Sequence, residues 1–256
     1  MTDNSGSGRQ VALVTGGAKR VGRAICLRLA EAGYAVAIHC NESVAEAEEL
    51  AAMIMEKGGH AAVISADLVD PGSVEGIVPA AAAELGPVTL LVNNASMFAK
   101  DSLTSLDVAT WNRQFSVNIR APSVLAGAMA RALPEGTDGA IINILDQRVW
   151  KLTPEYYSYT LSKAAMWAAT RTMAQALAPR IRVNAVGPGP TVANVHDGEA
   201  LFLKEAAGTL LGHAVAPEEI ADAVLYLARA RSITGQMLAV DSGQHLGWQT
   251  PDIVTG

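Results

Sequence analysis

The sequence predicts one doubly wound α/β domain, a parallel sheet of about seven strands with helices on both faces. Three observations carry that expectation. Short apolar runs alternate with longer amphipathic segments from residue 11 onward. The runs are continuously apolar rather than alternating, as strands covered on both faces require. No repeat, low-complexity block or Pro/Gly-rich linker divides the interior, so a single domain is expected over residues 9–256.

The elements follow in order. VALVT (11–15) is a compact apolar run ending at glycine, followed by a helical pattern over 23–32. AVAIHC (35–40) precedes a helix over 45–57, where Ser43 and Glu46 have the spacing of a capping box. AAVISA (61–66) leads to a helix over 73–85, and TLLVN (89–93) to one long helix over 109–133. AIINIL (140–145) leads to a helix over 157–177, IRVNAV (181–186) to one over 217–228, and MLAV (237–240) is the last strand. Ligands of such sheets bind at the carboxyl ends of the strands. The loops there carry Gly16, Asp67, Asn94, Asp146 and Gly187.

Bulk properties narrow the function. A chain of 256 residues with net charge -6 and a pI near 5.4 is not built to grip a nucleic-acid backbone, although a local basic pocket for a small anion is compatible. Cys26 and Cys40 lack metal-ligand spacing, so no metal is expected and a reduced compartment fits. No apolar run is long enough for a membrane helix and the first ten residues lack a signal core, which points to the cytosol. Residues 1–8, polar and Ser/Gly-rich, are expected to form a disordered tail.

Between the first strand and its helix lies TGGAKRVG (15–22). Glycines allow close approach of backbone to a ligand, and a helix N-terminus offers free N–H groups and positive potential to an anion. The loop lacks the GKS or GKT ending of a P-loop, which argues against ATP or GTP hydrolysis. Cations at a helix start oppose the dipole, so Lys19 and Arg20 make better sense with an anion nearby. The second strand ends His39-Cys40-Asn41 and offers no acid for the ribose hydroxyls of NAD before Glu42. Lys19 or Arg20, His39 and Ser43 offer cations and donors for a 2′-phosphate, which favours NADPH over NADH. Glu42, able to repel that phosphate or pair with Arg20, points the other way.

Tyr159 and Lys163 are four residues apart in the 157–177 helix and therefore share a face. A free tyrosine titrates near ~10, and a neighbouring cation favours its phenolate, matching it better to proton transfer near neutrality.

These pieces occur together and in order: TGGAKRVG, Asp67-Leu68, Asn93-Asn94-Ala95, Asn118, YTLSK (159–163) and RVNAVGPGP (182–190). The set, spanning residues 11–243, resembles the short-chain dehydrogenase/reductase family. That resemblance implies a Rossmann-type fold whose first loop, Thr15, Gly16, Lys19, Arg20, Val21 and Gly22, holds the cofactor diphosphate. It implies that Asp67 and Leu68 meet adenine, that Asn41 lies near the ribose, and that Asn94 and Ala95 run along the cofactor. Tyr159 becomes the proton donor, Lys163 the ribose ligand that tunes it, and Asn118 the anchor of a water relay. Pro188, Gly189 and Thr191 are implied to cover the nicotinamide and diphosphate. A homotetramer is implied too, packed through 109–133 and 157–177, with the tail 245–256 reaching a neighbouring subunit.

Two departures sharpen the reading. Arg20 stands where most members have glycine, and Asp146 stands thirteen residues before the tyrosine, where most have a catalytic serine. A serine hydroxyl donates to a carbonyl oxygen, whereas an ionised carboxylate only accepts. Beside an oxygen gaining negative charge it repels; beside a ring N–H or amino group it attracts. The site therefore looks built for C=N reduction in a nitrogen heterocycle. With NNASMF (93–98), the combination resembles the pteridine reductase branch. There the resemblance implies that Arg20 and Ser96 touch both cofactor phosphates and substrate, and that Phe98 stacks on a pterin ring. His39 and Ser43 match the branch's HxxxS pattern, while Glu42 replaces its usual arginine. Segments 147–156 and 192–208 are expected to complete the substrate pocket, with Trp150 and Tyr156 as walls. The expected function is NADPH-dependent reduction of a pterin or dihydrofolate-like ring. The alternatives are a carbonyl reductase or alcohol dehydrogenase, and a cofactor-binding regulatory protein with little turnover.

Overall fold

In the computed structural model, which describes residues 9–192 and 198–248, the chain forms one parallel seven-stranded sheet. Its strands are β1 (Val11–Val14), β2 (Ala35–Cys40), β3 (Ala61–Ser65), β4 (Val88–Asn93), β5 (Gly139–Ile144), β6 (Ile181–Pro188) and β7 (Met237–Val240), in the order β3-β2-β1-β4-β5-β6-β7. The strand order, which runs from β1 outward to β3 on one side, switches to β4 and onward on the other, and this switch between the parallel strands β1 and β4 opens a crevice at their carboxyl ends. The segments expected as a tail (1–8), part of the pocket loop (193–197) and the last residues (249–256) lie outside the described residues.

Pleating divides the apolar runs between two helical layers. Ala12 and Val14 of β1 face α1 (Arg20–Glu31), α2 (Val44–Glu56) and α8 (Pro217–Arg229), packing with Ile25, Leu29, Leu50 and Val224. Val11 and Leu13 face α3 (Pro71–Leu85), α5 (Ala121–Ala132) and α6 (Tyr157–Leu177), packing with Ile77, Leu125 and Met129. Because both faces are covered, every residue of β1, β2 and β5 is buried. That is why those strands read as unbroken apolar runs.

Local chemistry sets several boundaries. Asp70 caps α3 by accepting from Ser73 N at 2.9 Å, with Pro71 at the first helical position. Asp107 caps α4 (Val108–Phe115) through Thr110 N at 2.7 Å.

Three expectations need correction. Residues 109–133 do not form one helix: α4 gives way to a π-helical turn, Ser116–Arg120, before α5 begins. Pro122 has no N–H to offer the Asn118 carbonyl four residues back, and a π turn tolerates that loss. Ser43 precedes α2 but makes no side-chain cap, and the Glu46 side chain pairs with Lys19. A further helix, α7 (Gly198–Ala207), occupies part of the segment expected as a pocket loop. No helix among the described residues is long and apolar enough to cross a membrane.

Candidate active site

A cleft of about 780 Å³ opens at the carboxyl ends of the strands. It runs from the β1–α1 loop, past β4 and β5, to the start of α7.

Its first wall is a tightly tied loop. Gly16 has φ +61, and a Cβ on Gly22 would lie 2.1 Å from the Gly16 carbonyl oxygen. Neither position admits a side chain without moving the backbone. Asn94 Nδ2 donates to the Thr15 and Gly16 carbonyls at 2.8 and 3.0 Å. Thr15 Oγ1 accepts from the amides of Asn94 and Ala95, each at 3.0 Å. Thr15 is thus a buried strut of the loop and does not line the cleft.

Helix α1 then starts at Arg20 with no side-chain cap and no acid in its first turn. Its first amides and dipole face the cleft beside the Lys19 and Arg20 side chains, a donor set that fits a dinucleotide diphosphate. Arg20 itself sits at φ +51, in the left-handed region. Its Nη2 donates to the Val192 carbonyl at 2.9 Å, linking the first loop to the chain beyond β6.

The ribose end differs from expectation at three residues. His39 is 1% exposed, accepts from Gly16 N at Nδ1 (3.2 Å) and lies 3.1 Å from the Ala66 carbonyl through Nε2. Burial pulls its imidazole down to about 4, so the ring is neutral at pH 7 and braces β1 against β3. It supplies no charge to a phosphate. Lys19 Nζ is paired with Glu46 Oε1 at 2.7 Å, both side chains about half exposed, so the cation is shared before any anion arrives. Ser43 does not line the cleft, whereas Asn41, Asp67 and Leu68 do. Asp67 is held in a turn by accepting from Val69 N at 2.8 Å.

Beyond the loop lies the chemistry. Tyr159 and Lys163 project from one face of α6, both buried. Tyr159 Oη donates to Asp146 Oδ2 at 2.9 Å, and Asp146 Oδ1 accepts from Arg148 N at 2.8 Å. Lys163 Nζ donates to the Ile144 carbonyl at 2.9 Å and lies 5.7 Å from the Tyr159 ring centre. Burial brings the ammonium down to about 8. The expected depression of the tyrosine is reversed: burial first, then the Asp146 carboxylate, holds the phenol well above its ordinary value, while Arg148 and Ser96 pull the other way. Tyr159 therefore keeps its proton and presents it as a donor.

Asn118, in the π turn, is fully engaged. Its Oδ1 accepts from Met97 N (2.9 Å) and Ser96 Oγ (3.3 Å), and its Nδ2 donates to the Met97 carbonyl (3.0 Å) and Ser162 Oγ (2.9 Å). The side chain positions the β4 loop against α6 and does not itself line the cleft.

The substrate end also departs from expectation. Phe98 lines the cleft, but one face already stacks on Tyr156 (4.3 Å between ring centres, 12° between planes), and Tyr159 meets it edge-on at 4.6 Å. Tyr156 is buried behind Phe98 and is not a wall. Trp150 is 44% exposed, packs on Trp167 and His245, and stands outside the cleft. The physical cause is the turn at Gln147–Val149, which carries the chain away from the cleft after Arg148. Pro188, Gly189, Thr191 and Val192 line the cleft, joined by Leu201, Phe202 and Glu205 of α7. Gln147 and Arg148, immediately after Asp146, line the cleft and fall within the 147–156 segment expected to complete the pocket, although neither was named individually. Their position on a strand-end loop was the available signal. Among the described residues no cluster of His, Cys, Asp or Glu is arranged to hold a metal.

The family model described as enoyl-(acyl carrier protein) reductase matches residues 16–245. The chain is 51% identical to the FolM alternative dihydrofolate reductase 1 of Brucella canis, solved in complex with NADP, with a TM-score of 0.93 over 96% of this chain and 97% of that one. A blue fluorescent protein from a metagenomic library, solved with NADPH, is 36% identical with a TM-score of 0.85 over 92% of this chain and 97% of that one. The 3-oxoacyl-[acyl-carrier-protein] reductase FabG of Staphylococcus aureus is 32% identical over 92% of this chain and 98% of its own length.

Proposed function

The chain belongs to the short-chain dehydrogenase/reductase family of oxidoreductases, and from that premise we propose that it is an NADPH-dependent reductase of a C=N bond in a pterin or dihydrofolate-like ring. The observation that carries this reading is the Asp146 carboxylate accepting from Tyr159 at 2.9 Å in the catalytic cleft. A carboxylate there repels the oxyanion of a reacting ketone and attracts the N–H groups of a heterocycle. The likeness to a dihydrofolate reductase solved with NADP supports the same substrate class and cofactor.

When bound, NADPH supplies the hydride. The α1 N-terminus, Lys19 and Arg20 would hold its phosphates, Asn41, Asp67 and Leu68 would bind its adenosine half, and Lys163 would bind the nicotinamide ribose; all these residues line the cleft. Asp146 orients the ring by accepting from its N–H or amino groups. Tyr159 then gives its proton to the ring nitrogen next to the reduced carbon. The phenol holds that proton until the nitrogen becomes basic, because burial and Asp146 oppose early ionisation. Lys163 and Arg148, both in the cleft, offset the phenolate as it forms. Asn118 acts on the same step by fixing Ser96 and α6.

Likeness to a 3-oxoacyl reductase supports a second reading, carbonyl reduction. Oxidation of NADPH and NADH with dihydrobiopterin, dihydrofolate and simple ketones, using wild type and Asp146→Ser, separates the two. The heterocycle reading expects pterin or folate turnover that the variant loses. Ketone turnover that survives or rises in Asp146→Ser refutes it. We also propose a cytosolic homotetramer packed through α4, α5 and α6; a light-scattering mass near one chain refutes the tetramer.

A further inference from the structure

Asp146 accounts for hydrogen-bond acceptance in the cleft, but the residues after it have unmet capacity. Gln147 is 5% exposed and its Oε1 has no hydrogen-bond partner. Arg148 Nη1 is likewise buried without a partner. An unmatched guanidinium N–H is costly to bury and is normally satisfied by an acceptor. The obvious candidate, Asp146 two residues away, forms no ion pair with Arg148; it takes the backbone N–H instead. The guanidinium lies by the aromatic rings instead. The Arg148 guanidinium carbon lies 5.5 Å from the Phe98 ring centre and 5.0 Å from that of Tyr156, and those two rings are stacked on each other. The guanidinium packs beside the Phe98–Tyr156 stack rather than on the carboxylate. The cleft thus carries an acceptor and a fixed, separate donor on one short loop.

We infer that Arg148 determines substrate specificity by donating from its guanidinium to a ring carbonyl oxygen adjacent to an N–H that Asp146 accepts, so that the site reads a cyclic amide edge. The inference deepens the heterocycle reading and rests on it. A ring with an amino group in place of the carbonyl presents a donor to Arg148, and two donors face each other. Specificity of this kind comes from leaving the wrong partner unpaired.

The test measures binding of dihydrobiopterin, a 2-amino-4-oxo ring, and of 2,4-diaminopteridine by calorimetry to the NADP-loaded protein. Wild type, Arg148→Leu and Arg148→Lys run side by side, with NADPH affinity as the check that the cleft is intact. Expected is a preference of wild type for the oxo ring, reduced in Arg148→Leu through about a 10- to 100-fold weaker oxo complex, the range of a charge-assisted hydrogen bond. The part of the preference set by Asp146, which the bare ring nitrogen of the diamino ring also leaves unpaired, remains. Diamino binding in that variant should change by less than about threefold, and Arg148→Lys should recover part of the preference. Equal weakening of both rings in Arg148→Leu makes Arg148 an aromatic clamp only and overturns the inference. An unchanged preference overturns it as well. Wild type that binds neither ring overturns the heterocycle reading and this inference together, a result distinct from the other two.

Discussion

Replacing Arg20 tests whether the first loop stores strain in exchange for ligand binding. Arg20 is held at φ +51, where an L-residue is disfavoured by about 1–2 kcal/mol. Glycine removes that cost but adds about 0.5–1 kcal/mol of freedom to the unfolded chain. Arg20→Gly also loses the bond to the Val192 carbonyl, about 0.5–1.5 kcal/mol, so the apo protein should stay within about 1.5 kcal/mol of wild type while lying above Arg20→Ala. Arg20→Ala keeps the strained backbone and loses the bond to the Val192 carbonyl, so it should fall below wild type. Both variants lose a charged donor to phosphate, which corresponds to about 10- to 100-fold in NADPH affinity. Urea unfolding of the three apo proteins at one concentration gives the stabilities, and fluorescence titration gives the NADPH affinities. A glycine variant no more stable than the alanine variant would refute the strain argument. Wild-type NADPH affinity in Arg20→Gly would remove the arginine from the phosphate site.

Two further outcomes follow from the ribose end. His39 has a folded value of about 4 against 6.5 in the unfolded chain, so between those limits only the unfolded state binds the proton. Stability should fall by about 3 kcal/mol as pH drops from 6.5 to 4 and then level off with respect to this group. His39→Gln, measured by urea unfolding at several pH values, should flatten that slope; an unchanged slope would assign acid sensitivity elsewhere. Glu46→Gln releases Lys19 from its surface pair. It should raise NADPH affinity by about two- to fivefold at low salt, an effect that disappears at high salt. Affinity that falls would show that the pair orients Lys19 productively.

What the sequence made legible follows from burial. Strands covered on both faces read as largely apolar runs, so the seven runs and the parallel sheet were legible. The order β3-β2-β1-β4-β5-β6-β7 was not, because no local pattern encodes which strands pair. The break at Ser116–Arg120 was hidden because one extra residue in a turn barely disturbs a long apolar pattern, although Pro122 marked the place. Ser43 and Glu46 misled because they have the spacing of a capping box, whereas Ser43 makes no side-chain cap and Glu46 pairs with Lys19. The role of His39 depends on how β2 sits between β1 and β3, which no local pattern encodes. Tyr159 and Lys163 were legible because four residues put them on one helix face, and Asp146 because it departs from the family pattern the other motifs resemble. Arg148 was not, since its meaning lies in two aromatic rings brought to it by the fold.

The hydrogen bonds of Asn118 bear on how such a site can diversify. Both side-chain polar atoms are saturated, and their partners lie on the β4 loop and on α6. No other residue of similar size offers two donors and two acceptors in that arrangement, so the position is locked, and with it the wall that carries Tyr159 and Phe98. The opposite bank, where α7 contributes Leu201, Phe202 and Glu205, shows no comparable polar lattice among the described residues, so it is the side on which a new substrate is accommodated at least cost. One half of the cleft is a fixed reaction chamber, and the other is the part that evolution, or an engineer, is free to recut.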